Sequence, residues 1–243
     1  MKRIFMFDVD GTLTPARQPM MEEFSKFFLE FCKKNKVYLV TGSDHNKILE
    51  QVTISALQSI LGVFTCSGNQ YWEGESLVYE KEFKPPEKLL TYLKSMIKHS
   101  DYHTKTGKHI EQRSGMMNFS TIGRNCTQEQ RENYYDWDSK VGERKLIRDR
   151  IMYSLPELDC VIGGQISVDI YPKGCDKSQA ISYIKEKHDN APITFFGDRL
   201  TPGGNDFPVY SAMNQGSCAP LDIAMPVEDW QETMRILQEV YDV

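Results

Sequence analysis

The chain has 243 residues, of which 40% are hydrophobic and 26% charged, and its formal net charge is −5. No segment has the roughly 20 consecutive apolar residues that a membrane-spanning helix needs. The acidic balance excludes a protein whose whole surface binds nucleic acid, because that affinity depends on excess Lys and Arg. We therefore expect no membrane or nucleic-acid partner, and a local basic pocket for any anionic ligand.

The first part of the chain predicts alternating strands and helices. Residues 3–9 form a nearly continuous apolar run that ends in acidic residues, which is typical of a buried parallel strand. Phenylalanines at helical spacing predict a helix over 22–35, and a strand over 37–40 and a helix over 45–61 follow. This order predicts a parallel sheet covered on both faces, with ligands bound at the carboxyl ends of its strands.

The pattern changes in the middle of the chain. Segments 76–83 and 109–123 alternate like antiparallel strands, whereas 84–98 and 127–155 have helical periodicity. Thr127 and the glutamine three residues later form a capping box, which predicts a helix start at that point. A different architecture is therefore inserted into the first one.

From about residue 177 the alternation of helices and strands seen in the first part of the chain resumes, with a helix over 178–188, a strand over 193–196 and a last helix over 227–240. We predict an α/β protein with a discontinuous, Rossmann-like core and an inserted α+β cap that contains an antiparallel sheet. The predicted core comprises residues 1–80 and 174–243, and the predicted cap comprises residues 81–173.

Two carboxylates, Asp8 and Asp10, stand where the first strand ends, and Gly11 and Thr12 follow them. In such a position the first carboxylate can attack phosphorus, and the second, two residues later, can transfer a proton. A divalent metal can screen both carboxylates from the phosphate charge. A solvated acidic loop would not explain their place directly after a buried strand. Asp8 is the candidate nucleophile, Asp10 is the candidate general acid and base, and both are candidate Mg²⁺ ligands.

A second acidic motif follows the strand predicted over 193–196. Asp198 ends that strand, and Asp206 closes the Gly-rich segment behind it. Because Mg²⁺ prefers hard oxygen ligands, Asp198 can complete a metal site with Asp8, while Asp206 either supports the site or binds directly. A turn rich in Gly, Asn and Asp would explain the second half of this motif on composition alone.

Three further core residues are candidates for contact with a phosphate. Thr41 or Ser43, at the end of the second strand, can donate a hydroxyl hydrogen bond to a phosphoryl oxygen, but Ser43 and Asp44 fit an N-cap equally well. Lys177 lies near the start of the second segment of the predicted core. As a point charge it can neutralise the negative charge of the nucleophile and of the phosphate.

The insert carries candidate groups for binding hydroxyl and phosphate groups. Period two over 165–171 places Ser167 and Asp169 on one polar strand face, which suits sugar hydroxyls. Arg113, Arg124 and Arg131 can bind a phosphate bidentately, although scattered arginines are usually solvated.

These motifs, in this order, resemble the haloacid dehalogenase superfamily. FDVDGTLTPAR, IEQRSGMMNFSTIGR, GGQISVDIYPKGCDK and FFGDRLTPGGND resemble the signatures of eukaryotic-type phosphomannomutases over nearly the whole chain. The resemblance implies a haloacid dehalogenase core, aspartyl-phosphate chemistry, Mg²⁺ as cofactor, hexose 1,6-bisphosphate as activator and a homodimer formed through the cap. It also implies that Arg17 reaches the substrate from the core and that the cap arginines hold the non-reacting phosphate.

The expected reaction is the interconversion of mannose 6-phosphate and mannose 1-phosphate, and two other functions stay open. A Mg²⁺-dependent sugar-phosphate phosphatase would share the core but let water take the phosphoryl group. A non-catalytic sugar-phosphate sensor is disfavoured by the intact acidic set. Departures from the family pattern at Ser67, Ser114 and Cys175 leave the preference between mannose and glucose phosphates open.

The sequence also favours a cytoplasmic location. Six cysteines are scattered without a CxxC pair, which favours reduced thiols over a zinc or redox motif. The N-terminal apolar run leads into acidic residues without a small-residue cleavage site, so we expect no signal peptide.

Overall fold

The computed structural model describes residues 2–214 and 221–241. The chain divides into two compact units, which we call the core (Met1–Glu80 with Asp176–Val243) and the cap (Lys81–Cys175). Among the helices that the described residues form, none combines the length and the hydrophobicity that crossing a bilayer requires.

The described residues form strands and helices of mostly short length. In chain order these are β1 (Ile4–Phe7), α1 (Glu22–Lys34), β2 (Lys36–Val40), α2 (His45–Gln51), α3 (Ile54–Leu57), β3 (Gly62–Thr65), β4 (Gln70–Glu73), β5 (Ser76–Glu80), α4 (Glu87–His99), β6 (Ile110–Arg113), β7 (Met116–Phe119), α5 (Gln128–Val141), α6 (Glu143–Ser154), β8 (Leu158–Gly163), β9 (Ser167–Pro172), α7 (Gln179–Lys187), β10 (Ile193–Gly197), α8 (Phe207–Asn214), β11 (Ile223–Pro226) and α9 (Trp230–Val240).

The core is built on a seven-stranded sheet in the order β11-β10-β1-β2-β3-β4-β5. The first five of these strands are parallel, and β4 and β5 form an antiparallel extension at one edge. Strand β1 lies between β10 and β2, so the carboxyl ends of these three strands meet at the same edge of the sheet.

Strand β1 is apolar throughout because both of its faces are covered. Phe5 and Phe7 pack against the phenylalanines of α1 on one face. Ile4 and Met6 lie on the other face, in a cluster with the buried side of α7. A strand of alternating polarity would expose polar groups to one of these two cores, so the continuous apolar pattern specifies the centre of the sheet.

The cap contains a four-stranded antiparallel sheet in the order β6-β7-β9-β8. Helices α4 and α6 pack their apolar residues on one face of this sheet, where they meet side chains such as Phe119, Val168 and Ile170. The residues that alternate with these, including Asn118 and Asp169, lie on the opposite, polar face. The predicted fold class, a parallel-sheet core with a cap that carries an antiparallel sheet, is confirmed.

Several element predictions differ from the structure in their bounds. The helix predicted over 45–61 is divided into α2 and α3, and the helix predicted over 127–155 is divided into α5 and α6. Segment 76–83 is an antiparallel strand as predicted, but its strand, β5, extends the core sheet and ends at Glu80. Strands β3, β4, β8 and β11 and helix α8 were not predicted, because short apolar runs carry too little periodicity to identify them.

Gly142 separates α5 from α6. It adopts a left-handed backbone with φ of 75°, and its N–H donates to the carbonyl oxygen of Asp138, which ends α5. The start of α5 follows the sequence prediction, since Thr127 and Gln130 form both hydrogen bonds of a capping box.

We expect Gly142→Ala to lower the free energy of unfolding by about 1 kcal/mol, because an L-residue with a β-carbon is strained in the left-handed region. A β-carbon at this position meets nothing within 4 Å, so the loss is conformational and not steric. Urea unfolding measures it. Gly142→Asn is the matched control and should lose less, since Asn tolerates this backbone; equal losses would contradict the argument.

Candidate active site

The loop after β1 carries Asp8 and turns back tightly. The backbone N–H of Asp8 donates to the carbonyl oxygen of Phe196 in β10 (2.9 Å), and the carbonyl oxygen of Val9 accepts from three successive N–H groups, those of residues 12–14. Gly11 has a φ of 89°, and a β-carbon there would lie 2.6 Å from Oδ2 of Asp198. A glycine is therefore required for Asp198 to approach this loop.

Lys177 is a buried cation of the site. Its Nζ lies 2.6 Å from Oδ1 of Asp8 and 2.7 Å from Oδ1 of Asp206, and its side chain is fully buried. Burial alone would lower the pKa of Lys177, but the charges of Asp206 and Asp8 outweigh it and raise this pKa above its usual value. Lys177 is thus a permanently charged group between two carboxylates.

Asp8, Asp198 and Asp206 form an acidic triad whose nearest carboxylate oxygens lie within 4.8 Å of one another. Burial and the charge of Asp206 raise the pKa of Asp8, and the same two causes raise the pKa of Asp198 to about 7. Arg199 also lies near the triad, with its Nε 3.6 Å from Oδ2 of Asp198, so Lys177 and Arg199 face the three carboxylates.

The triad has the chemistry of a divalent-cation site. Oδ1 of Asp198 is buried and has no hydrogen-bond partner in the described part of the chain. An unsatisfied buried carboxylate oxygen is costly unless a cation or a donor meets it. Three carboxylates with one such oxygen fit Mg²⁺, which prefers oxygen ligands.

Asp10 is held separately, by three donors. Its Oδ1 accepts from the backbone N–H of Arg17 (2.5 Å) and from Nε2 of Gln51 (2.8 Å), and its Oδ2 accepts from Oγ of Ser43 (3.2 Å). The carboxylate of Asp10 is not a member of the acidic triad, and its role as a Mg²⁺ ligand stays a prediction. Its fixed orientation suits a group that transfers protons.

Two hydroxyl groups follow β2 at the same edge of the sheet. Thr41 is almost fully buried, and its Oγ1 accepts from the backbone N–H of Ser43 (3.1 Å). The N-cap of α2 is Asp44, whose side chain accepts from the N–H of Lys47 (2.9 Å). Ser43 is therefore not the cap, and its hydroxyl is left to orient Asp10.

Gln51 is a site residue that the sequence analysis missed. Besides its bond to Asp10, Nε2 of Gln51 lies 3.2 Å from Oγ1 of Thr14, and the side chain is buried. The only signal in the sequence is that Gln51 lies three residues after Ile48 and one before Val52, on the apolar side of its helix. A polar residue within an apolar stripe indicates a buried partner, but not which one.

The polar face of the cap sheet holds two of the three predicted arginines together. Oε2 of Glu111 accepts from Nη2 and Nε of Arg113 (2.6 and 3.0 Å) and forms an ion pair with Nε of Arg124 (3.1 Å). Nζ of Lys108 lies 2.8 Å from the other oxygen of Glu111. Burial would raise the pKa of Glu111, but these three cations lower it to about 2.

The other two predicted residues of the cap belong to the same network. Nη1 of Arg124 donates to Oδ1 of Asn118 (2.5 Å) and to Oγ of Ser167 (3.3 Å), and Nδ2 of Asn118 donates to Oδ1 of Asp169 (2.5 Å). Arg131 lies in the first turn of α5 and is half-buried. Its role stays a prediction. Glu111 and Asn118 were not predicted from the sequence.

The fold of this chain is that of the haloacid dehalogenase superfamily. A solved sugar phosphatase of haloacid dehalogenase subclass IIB is similar to it with a TM-score of 0.60 at 17% sequence identity, and the match covers 100% of each chain. At this identity the likeness establishes the fold alone. The acidic groups at the ends of β1 and β10 lie where such a core carries its chemistry.

Sequence similarity identifies the family to which the chain belongs. The profile of the eukaryotic phosphomannomutase family matches residues 24–243. A phosphomannomutase of Drosophila melanogaster is 34% identical over 251 residues, covering 99% of this chain and 96% of that protein. A phosphomannomutase of Spinacia oleracea is 36% identical over 217 residues, covering 86% of each. The chain belongs to the eukaryotic phosphomannomutase family.

We expect Lys177→Met to lower the free energy of unfolding of the metal-free protein by about 3 to 5 kcal/mol, because it leaves two buried carboxylates without their cation. Urea unfolding in the presence of a chelator measures the change. Lys145→Met removes one exposed partner of Asp149 and serves as the control, with an expected loss below about 1 kcal/mol. Similar losses in both variants would show that burial of Lys177 has no energetic role.

Proposed function

We propose that the protein interconverts mannose 6-phosphate and mannose 1-phosphate, through phosphorylated Asp8 and a hexose 1,6-bisphosphate intermediate. The observation that carries the proposal is the pair of fixed carboxylates after β1: Asp8 against Lys177, and Asp10 oriented by three donors. Membership of the phosphomannomutase family supports the choice of substrate.

In the first half-reaction, a carboxylate oxygen of Asp8 attacks a phosphorus atom of the bisphosphate, and the bond from that phosphorus to the sugar oxygen breaks. Asp10 gives a proton to the departing oxygen, so that a hexose monophosphate leaves and Asp8 carries the phosphoryl group. In the second, a hydroxyl of the other monophosphate isomer loses its proton to Asp10 and attacks this phosphorus. The bond to Asp8 then breaks, which regenerates the bisphosphate and the free carboxylate.

The remaining core groups assist without changing covalent bonds. The acidic triad would hold Mg²⁺, which supplies positive charge to screen the carboxylates from the phosphate. Oγ1 of Thr12 is buried and lacks a hydrogen-bond partner in the described residues, so this hydroxyl is available to a phosphoryl oxygen. We assign Thr41 and Ser43 to the same environment, and Arg17 to the substrate.

The cap supplies the second binding group that a mutase requires. The hexose must be bound with either of its phosphates at Asp8, so the other phosphate needs a site of its own. We assign that site to Arg113, Arg124 and Arg131, since guanidinium groups bind phosphate bidentately. Ser167 and Asp169 are assigned to the sugar.

We also propose that the protein is a homodimer formed through the cap. Helices α5 and α6 carry three strongly exposed apolar residues, Val141 (57%), Leu146 (49%) and Tyr153 (90%), which a partner surface would cover.

A cytoplasmic location is proposed as well. Cys32 and Cys160 are buried as thiols and are not joined in disulfides, which is the usual state in a reducing compartment.

The central experiment separates a mutase from a phosphatase. With mannose 1-phosphate as substrate, we expect a catalytic amount of hexose 1,6-bisphosphate to stimulate formation of mannose 6-phosphate, with free phosphate released much more slowly. The aspartyl-phosphate must outlast the exchange of sugars, so water has to be the poorer acceptor. Both products are measured in one assay, and Asp8→Asn should form neither. Phosphate release equal to substrate consumption would identify a phosphatase instead.

Removal of divalent metal should abolish turnover, and Mg²⁺ should restore it. We expect Asp198→Asn to raise the Mg²⁺ concentration needed for half-maximal activity at least about 100-fold, because it removes a charged oxygen from the triad. A titration with Mg²⁺ after chelation measures this value. Asp189→Asn, at an exposed aspartate, is the control and should match the wild type. Full activity after thorough chelation would exclude the metal site.

A further inference from the structure

Arg113 and Arg124 share the carboxylate of Glu111. Both guanidinium groups contact the same oxygen, Oε2, and the three side chains are only 8% to 17% exposed. Two like charges that converge on a single acceptor would repel each other without it. The carboxylate therefore fixes both the separation and the orientation of the pair.

The register of the cap sheet determines which polar residues lie next to Glu111. Glu111 on β6 is paired with Asn118 on β7, and Asn118 is paired with Asp169 on β9, so three polar residues form one row across the sheet. Arg113 lies two residues beyond Glu111 and therefore on the same face. Arg124 is anchored twice to the row, directly by Glu111 and through the amide oxygen of Asn118.

The row is rich in positive charge. Lys108, Arg113 and Arg124 all form ion pairs with Glu111. An ordinary surface ion pair involves exposed groups and contributes little. The contrast lies within the same unit, because Asp149 also binds a lysine and an arginine, Lys145 and Arg148, but is 43% exposed.

We infer that Glu111 is a positioning residue, which sets the spacing of Arg113 and Arg124 so that the pair binds a phosphate monoester dianion. The carboxylate acts through the two arginines and does not touch the ligand. The inference rests on the proposed function in one respect, that the dianion is the non-reacting phosphate of a hexose phosphate.

The test compares Glu111→Gln, Glu111→Asp and the control Asp149→Asn. Glutamine has the size of glutamate but carries no charge. One guanidinium group therefore faces either the amide NH₂, which cannot accept a hydrogen bond, or the amide oxygen, which is a weaker acceptor than a carboxylate oxygen. We expect Glu111→Gln to raise KM for mannose 1-phosphate about 10-fold to 100-fold, as for the loss of a charged hydrogen bond, with kcat changed less than about threefold. Glu111→Asp, which keeps the charge, should lie between this variant and the wild type.

Equilibrium binding gives a second readout that turnover does not affect. In an Asp8→Asn background, the Kd for mannose 6-phosphate, measured by calorimetry, should rise by the same factor in Glu111→Gln and stay unchanged in Asp149→Asn. If Glu111→Gln does not fold, Glu111→Asp must still raise the Kd. A wild-type Kd and KM in the folded variants would overturn the inference. Tighter binding by Glu111→Gln would also overturn it, since Glu111 would then compete with the phosphate.

Failure of the proposed function would be distinct from these outcomes. If the wild-type protein releases phosphate and forms no mannose 6-phosphate, it is not a mutase, but the Kd comparison still decides the role of Glu111. If the wild type interconverts the sugars and Glu111→Gln has the same Kd and KM, only the role of Glu111 is wrong.

Discussion

The buried contact of Lys177 with Asp8 and Asp206 is the interaction on which the core site depends. It places a full positive charge where solvent is absent, so each of the two carboxylates has a partner at 2.6 to 2.7 Å. A buried charge without a partner is strongly unfavourable, which is why the lysine and its carboxylates must be retained together. The third carboxylate, Asp198, lies 3.6 Å from Nε of Arg199 and keeps one buried oxygen, Oδ1, without a hydrogen-bond partner among the described residues.

That two of the core carboxylates lie close together could be predicted from the sequence, because their placement follows from topology. Asp8 and Asp198 each follow a strand directly, and β1 and β10 are parallel neighbours, so the two carboxylates had to meet. Gln51 and Glu111 could not be found in this way. The role of Gln51 depends on which side of a short helix is buried, and that of Glu111 on a strand register between residues distant in sequence.

The two candidate sites differ in the charges that meet there. In the core site, three carboxylates lie near Lys177 and Arg199, and in the cap, Lys108, Arg113 and Arg124 all contact Glu111. A phosphorylated sugar carries anionic ends, and the acidic end of the core can accept one of them only together with positive charge from a cation.

The discontinuity of the core has a consequence for how the chain folds. Lys177 follows its partner Asp8 by 169 positions, and β1 pairs with β10, which begins at Ile193. The cap is one continuous stretch, so during synthesis it can close on itself as soon as it leaves the ribosome. Asp8, by contrast, lacks Lys177 and the strands β10 and β11 until the chain has emerged as far as Pro226. A ribosome that stalls before Lys177 therefore carries a finished cap on an unfinished core, whose exposed strand edges favour aggregation.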